Sequence, residues 1–202
     1  MSLFRKLFGG KSDKSEEHIP NQERGKYMPE VKLPVDERFT INFKANGGKF
    51  LYCEDFSEIK RSLENILLEN NWENKTVLSF DAQLNELFKE FRFNTSKKAS
   101  ESTFFFTTCE YLISDDGSLL ISSNQIAEKK LKELPTNFVV YATTSQLVEN
   151  IGEGLKGIKE KNRSRIPTNI TTIKHFKTEV DKDFMTYGSS SKNLYLLLLE
   201  DL

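Results

Sequence analysis

Apolar positions repeat along this chain with two different periods. Runs such as Phe138-Val139-Val140-Tyr141 and Leu194-Tyr195-Leu196-Leu197-Leu198-Leu199 are apolar at consecutive positions. An extended strand of that composition is apolar on both faces, so such runs belong in the centre of a sheet covered on two sides. Elsewhere the spacing is helical. Phe56, Ile59, Leu63, Ile66 and Leu67 form one stripe of a helix over 56–69, opened by Asp55 with Glu58 three residues on, a variant of the capping box. Leu147, Val148, Ile151, Leu155 and Ile158 predict a second helix from about 144 to 160, with Thr143 and Gln146 in capping-box positions. Strands are expected at 48–53, 76–80, 103–107, 110–113, 118–122, 137–142, 169–174 and 193–199. Strands alternating with helical segments point to an α/β fold with an open, mainly parallel sheet flanked by helices. The segment Asp115-Asp116-Gly117-Ser118-Leu119-Leu120 is a turn signal between strand-like residues, so a β-hairpin is inserted in the alternation.

Residues 1–34 read differently: Gly, Ser and charged residues, then Pro20, Pro29 and Pro34, with few large apolar groups to offset the entropy of ordering. They are expected to form a flexible tail ahead of one α/β domain over 35–202. Leu3, Phe4, Leu7 and Phe8 have helical spacing. Either this short amphipathic start docks on a partner or a membrane surface, or it is a frayed end.

Composition narrows the function classes. With 29 basic and 30 acidic residues the chain has no long-range field to draw it onto nucleic acid, so no nucleic-acid partner is expected. The longest apolar run, Leu194 to Leu199, falls far short of the roughly 20 residues that cross a bilayer, so no membrane span is expected. The first residues lack the apolar stretch and cleavage site of a secretory signal, and a cytoplasmic location is expected. Two cysteines, Cys53 and Cys109, lie far apart without a CxxC or a histidine pair. That excludes a structural zinc site or a self-contained iron–sulfur cluster, and no metal or cofactor is expected.

Several patterns carry candidate chemistry. Gly152-Glu153-Gly154-Leu155-Lys156-Gly157 matches GxGxxG, but its glycines fall inside the second predicted helix instead of in the turn between a strand and a helix. They therefore read as close-packing positions, not as a dinucleotide fingerprint. Ligands of open parallel sheets sit beyond the carboxyl ends of the strands. The polar residues expected there are Asp81, Thr107, Thr108, Glu110, Thr143, Thr144, Ser145, Gln146 and His175. A hydroxyl-rich helix start at Thr143 to Gln146 would offer amides and side-chain donors to a phosphate or carboxylate, or else simply cap its own helix. Glu110 and His175 are the catalytic candidates, Glu110 as nucleophile or general base if buried, His175 as a strand-end site residue or a structural histidine. Asp115 and Asp116 resemble a carboxylate pair, but their adjacency before Gly117 is fully explained by the turn. The ligand-binding candidates are Asp81, Thr107, Thr108, Asp116, Gly117, Ser118, Thr143, Thr144, Ser145 and Gln146. His18 in the tail and the loop Gly188-Ser189-Ser190-Ser191-Lys192 read as solvated.

The stretch from Thr107-Thr108-Cys109-Glu110 through Asp115-Asp116-Gly117-Ser118-Leu119-Leu120 resembles the central motif of the LUD domain family. There a Thr-Gly-(Ala/Cys)-(Asp/Glu) segment leads into Ala-(Glu/Asp)-Thr-Gly-(Thr/Ser)-Leu. Leu134-Pro135, Phe138-Val139-Val140-Tyr141, Ser145-Gln146-Leu147-Val148 and the closing Leu194 to Asp201 follow in the family's order, with Gly47-Gly48-Lys49-Phe50-Leu51-Tyr52 similar to its first strand. Ile173-Lys174-His175-Phe176-Lys177 stands where many C-type relatives carry Ser-Gly-Pro-Ser-Arg-Thr-Ala-Asp. The resemblance implies a fold similar to the ribose-phosphate isomerase and CoA-transferase superfamily. It also implies a role in lactate utilization, the oxidation of lactate to pyruvate, with the chain as a cluster-free, C-type, non-redox accessory subunit beside iron–sulfur partners. The other expectation is a stand-alone binder, or a transferase or isomerase-like enzyme, for a small phosphorylated or CoA-linked carboxylate.

Overall fold

A strand sends successive side chains to opposite faces, so a run apolar at every position joins two cores at once. In the computed structural model, which describes residues 33–176 and 192–202, the strand Asn193–Leu199 (β10) does so. Leu194, Leu196 and Leu198 enter one cluster, while Tyr195 and Leu197 enter the other. β10 lies inside a six-stranded, all-parallel sheet between Lys49–Cys53 (β1) and Asn137–Thr143 (β7), with Leu197 level with Leu51 and Tyr141. Phe104–Thr108 (β4), Thr76–Leu78 (β2) and the edge strand Asn94–Ser96 (β3) complete the order β1-β10-β7-β4-β2-β3.

One face of this sheet is covered by helices. The stripe Ile59, Leu63, Ile66 and Leu67 of the helix Phe56–Glu69 (α2) packs with Trp72, with Leu84 of the short helix Ala82–Leu87 (α3), and with Phe88 over Val77, Phe104, Phe106 and Leu197. Helix α2 has the expected bounds, and its cap is Asp55, whose carboxylate accepts from the Glu58 amide at 2.9 Å. Glu58 reaches back to the amide of Glu54, not to that of Asp55.

The other face is covered by a second sheet. Tyr111–Ile113 (β5) and Ser118–Ile121 (β6) form the expected hairpin, with Tyr111 opposite Leu120. They are joined by Leu147–Val148 (β8) and Thr171–Ile173 (β9) in the order β8-β5-β6-β9. Leu112, Leu119, Ile121 and Ile173 face the parallel sheet, together with Phe39 and Phe43 from a helix at Val35–Ala45 (α1). Tyr111, Ile113 and Leu120 point outward and bury Ile158 of the helix Ile151–Lys161 (α5). The layers therefore run helices, parallel sheet, mixed sheet, helix.

Two sequence expectations are corrected here. The helix placed at 144–160 begins at Ile151 and is capped by Asn150, whose side chain accepts from the Glu153 amide at 3.0 Å. Thr144–Gln146 form a single 3-10 turn, and Leu147 and Val148 pair with Leu112 and Ile113 as β8. The strand expected at 169–174 is the shorter β9, and it runs antiparallel to β6 in the second sheet. The tail positions Leu3, Phe4, Leu7, Phe8 and His18, and the loop from Gly188 to Ser191, lie outside the described residues. No helix among the described residues is long and apolar enough to cross a membrane.

Candidate functional site

The hairpin has two ends, and they hold different chemistry. At the turn end, Asp116 acts locally. Its Oδ1 accepts from the Ser118 amide at 3.1 Å and from the Ser118 hydroxyl at 2.6 Å, and its Oδ2 lies 3.5 Å from Lys174 Nζ. Gly117 has φ +67°, and a Cβ there would run into the backbone of Asn42 and Phe43. Asn42 and Asn46 donate to the carbonyls of Ser114, Asp115 and Asp116, so the turn is docked on α1. His175 follows β9 at this same end and is exposed. The expectation that His175 lies at the carboxyl edge of the parallel sheet is therefore corrected: β9 belongs to the other sheet, and its antiparallel pairing turns His175 away from that edge.

At the open end, Glu110 precedes β5 and its amide donates to the Leu120 carbonyl at 2.8 Å. That pairing buries Glu110 to 9% exposure against the residues that follow β6. Ser122 Oγ donates to Glu110 Oε1 at 2.6 Å, and Asn124 Nδ2 donates to the same oxygen at 2.9 Å. Ser122 also caps the short helix Ser123–Ile126 (α4) by accepting from the Asn124 amide, while Gln125 Oε1 accepts from the Ser122 amide at 2.9 Å. A buried carboxylate held by two donors is the arrangement that positions a proton acceptor or fixes a neighbouring side chain.

Asn124 also borders a cavity of about 270 Å3. Its walls come from α4 and from the loop after α5: Ser123, Glu128, Arg165, Ile166 and Thr168 are among the lining residues. The loop is pinned to α4 by the Ser123 amide donating to the Thr168 carbonyl at 3.0 Å and by Asn169 Nδ2 donating to the Lys129 carbonyl at 3.1 Å. Sequence reasoning missed this wall, because its two sides are about 40 positions apart. The one legible signal was Ser122 with Gln125 three residues on, a capping box that marks a helix start.

The remaining candidates lie along the parallel sheet's carboxyl edge. Gln146 Nε2 donates to the carbonyl of Cys109 at 2.6 Å and more weakly to that of Glu110, so the turn Thr144–Gln146 sits beside Glu110. Its donors, expected either to face a bound anion or to cap their own helix, are taken up by the chain's own Asp201. The Ser145 amide and the Thr144 hydroxyl donate to Asp201 Oδ1 at 2.8 and 2.9 Å, and Ser145 Oγ donates to Oδ2 at 2.7 Å. Thr143 Oγ1 is within 2.9 Å of Ser145 Oγ. Partial burial pushes the Asp201 carboxyl up, but the Ser145, Thr144 and Thr143 hydrogen bonds outweigh it and hold the group below the usual carboxylate range. Asp81 caps α3, accepting from the amides of Gln83 and Leu84. Thr107 is buried and Thr108 closes β4. Cys109 is buried too, and burial pushes its thiol well up, with Glu110 adding to the effect, so it stays a neutral thiol. The structure thus groups Glu110 with Thr108 and Thr143 to Gln146, and separates His175 and Asp116 to Ser118 from them by the length of the hairpin.

A protein-family model described as the LUD domain matches residues 37–199. The fold is similar to that in the crystal structure of a DUF162 family protein from Deinococcus radiodurans, with a TM-score of 0.59 and 11% identity over 83% of this chain and 96% of that one. Among curated proteins none matches.

Proposed function

The chain belongs to the LUD domain family, and on that premise we propose that it is a cluster-free accessory subunit in the oxidation of lactate to pyruvate, with iron–sulfur partners carrying the electrons. The observation that carries this reading is the family match across residues 37–199 in a chain that has only two cysteines. Cys53 is buried in the core between the parallel sheet and α2, Cys109 in the core between the two sheets. Thiols on opposite faces of a sheet cannot ligate one cluster, which supports a reading in which the iron–sulfur clusters belong to partners. Glu110, buried and hydrogen-bonded to Ser122 and to the cavity-lining Asn124, would accept a proton or hold Asn124 in the cavity wall.

The test is purification of the tagged full chain from its native cells grown on lactate. A cysteine-rich partner with the visible absorbance of iron–sulfur clusters should come with it, and deletion of the gene should slow growth on lactate. Normal growth together with no such partner overturns the proposal. The second reading is a stand-alone binder or transferase for a small phosphorylated or CoA-linked carboxylate. The burial of Glu110 favours it, but the donors of Thr144 and Ser145 do not, since they already hold Asp201. It predicts thermal stabilisation by sugar phosphates or acyl-CoAs that Glu110→Gln abolishes.

A further inference from the structure

Helix α5, Ile151–Lys161, forms the outermost layer, and its contacts fix which side of it faces inward. A Cβ on Gly154 would meet Leu120 and Ile113, and one on Gly157 would meet Tyr111. Ile158 is buried against the same residues, and Lys161 Nζ lies 4.7 Å from the centre of the Tyr111 ring. Ile151 and Leu155, one turn apart, flank that inward side and are 48% and 42% exposed. Of the eight large apolar side chains exposed among the described residues, α5 and the loop after it hold three, these two and Ile166. A single exposed aliphatic group needs no partner, but an adjacent pair marks an interface when the charges around it also match one.

Those charges are sorted by sign. Residues 149–153 carry Glu149 and Glu153 and no base, whereas residues 156–165 carry Lys156, Lys159, Lys161, Arg163 and Arg165 against Glu160 alone. The helix macrodipole favours Glu153 in the first turn and Lys159 and Lys161 in the last. It acts only within those turns, so Lys156, Arg163 and Arg165 extend the basic end beyond what the helix itself calls for. A surface polarised in this way, with an aliphatic middle, is complementary to itself when turned end for end. Glu149 and Arg163 stand seven positions, about two turns, on either side of Lys156, and Glu153 and Lys159 stand three positions on either side. One antiparallel register therefore sets both acids of each copy opposite bases of the other, twice over by symmetry. A parallel pairing would set like charges together. Lys156, near the two-fold axis, has Glu160 at 4.0 Å as its counter-charge, and Glu149 shares its charge with Arg38 at 3.9 Å.

We infer that α5 is the contact surface of a symmetric, antiparallel homodimer, in which Ile151 and Leu155 pack at the middle and Glu149 and Glu153 of each copy face Arg163 and Lys159 of the other. A helix of 11 residues is only about 16 Å long. So small a contact gives a weak dimer, with a Kd on the order of micromolar or above, and its rim charges make it sensitive to salt. The inference uses no part of the lactate reading, and each stands or falls without the other.

Sedimentation equilibrium of the full chain, from about 1 μM to about 1 mM, tests it. The mass should rise from monomer to dimer across that range, and added salt should shift the rise to higher concentration. Leu155→Ser should weaken association. Glu153→Lys and Lys159→Glu should each weaken it by about tenfold or more, because each turns two attractive pairs of the dimer into repulsive ones. An equimolar mixture of these two variants should associate as the parent does, since each then meets its opposite charge on the other. That restoration requires both variants to be folded, so misfolding cannot imitate it. A chain that stays monomeric throughout, variants that associate as the parent does, or a mixture that fails to restore association overturns the inference.

Discussion

Asp201 shows how one side chain can close what a sequence pattern seems to leave open. Thr143, Thr144 and Ser145 read either as donors for an anion or as caps of their own helix, and the group they bind lies 56 positions from Ser145 in the same chain. Because the folded state holds this carboxyl below its unfolded value, the contact adds stability that is present above the usual carboxylate range and lost as the pH falls through the folded value. The group is mostly exposed, so the gain at neutral pH is at most about 1 kcal/mol. Asp201→Asn should therefore melt slightly lower than the parent at neutral pH. The difference should vanish on titration below about pH 4, as followed by circular dichroism. A difference that grows in acid would contradict the assignment.

At the scale of elements, the glycines of α5 explain how a helix can lie flat on the outer face of a sheet. A Cβ on Gly154 would come within 2.9 Å of Leu120 Cδ2, and one on Gly157 would overlap the Tyr111 ring and hydroxyl. Tyr111 is buried and its ring lies 4.7 Å from Lys161 Nζ, so it has little room to yield. Gly157→Ala should accordingly lower stability by about 1–3 kcal/mol through overpacking, against the gain of about 1 kcal/mol that alanine brings to an open helix position. At Gly152 only Asn150 Oδ1 is near, at 3.1 Å, and the alanine variant should stay within about 0.5 kcal/mol of the parent in chemical denaturation. The GxGxxG lettering is thus a packing surface, as its position inside a helical stripe suggested. The start of that helix was misplaced for a physical reason. Thr143 and Gln146 do make the cap contact, Thr143 N to Gln146 Oε1 at 2.8 Å, but a capping contact serves a single 3-10 turn as well as a long helix. Leu147 and Val148 then went to β5, whose free edge offered backbone partners that the sequence does not display.

For the whole molecule, the decisive feature is that the last described strand lies inside the parallel sheet. β10 pairs with β1 near the start of the described chain and with β7 in its middle, so the sheet cannot close until the C-terminal strand arrives. Such pairings have a large loop-closure cost and favour all-or-none unfolding. Leu197 is fully buried between Leu51 and Tyr141. Leu197→Ala should cost about 2–5 kcal/mol. Trp72, stacked on Phe104 on the same face at 5.0 Å, supplies a fluorescence signal for it, and that signal should shift together with the far-ultraviolet signal. Separate transitions for the two signals would show that the halves unfold independently.

The sequence by itself determined most strands of the principal sheet, helix α2, the hairpin and the mainly parallel character of that sheet, but not β3 or β8. Each of these follows from side-chain periodicity and turn residues that act over a few positions. Helix α1 carried a readable start in Pro34 with Asp36 and Glu37 in the first turn, but its apolar stripe of Phe39 and Phe43 is thin and gains its burial only against the second sheet. Tertiary structure alone decided that the hairpin would recruit β8 and β9 into a covering sheet. It also decided that His175 would leave the sheet edge, that Asp201 would occupy the Thr144 and Ser145 donors, and that Glu128 and Arg165 would face one cavity. All of these join residues tens of positions apart, and burial and charge pairing at such separations depend on how the layers stack, which no local spacing encodes.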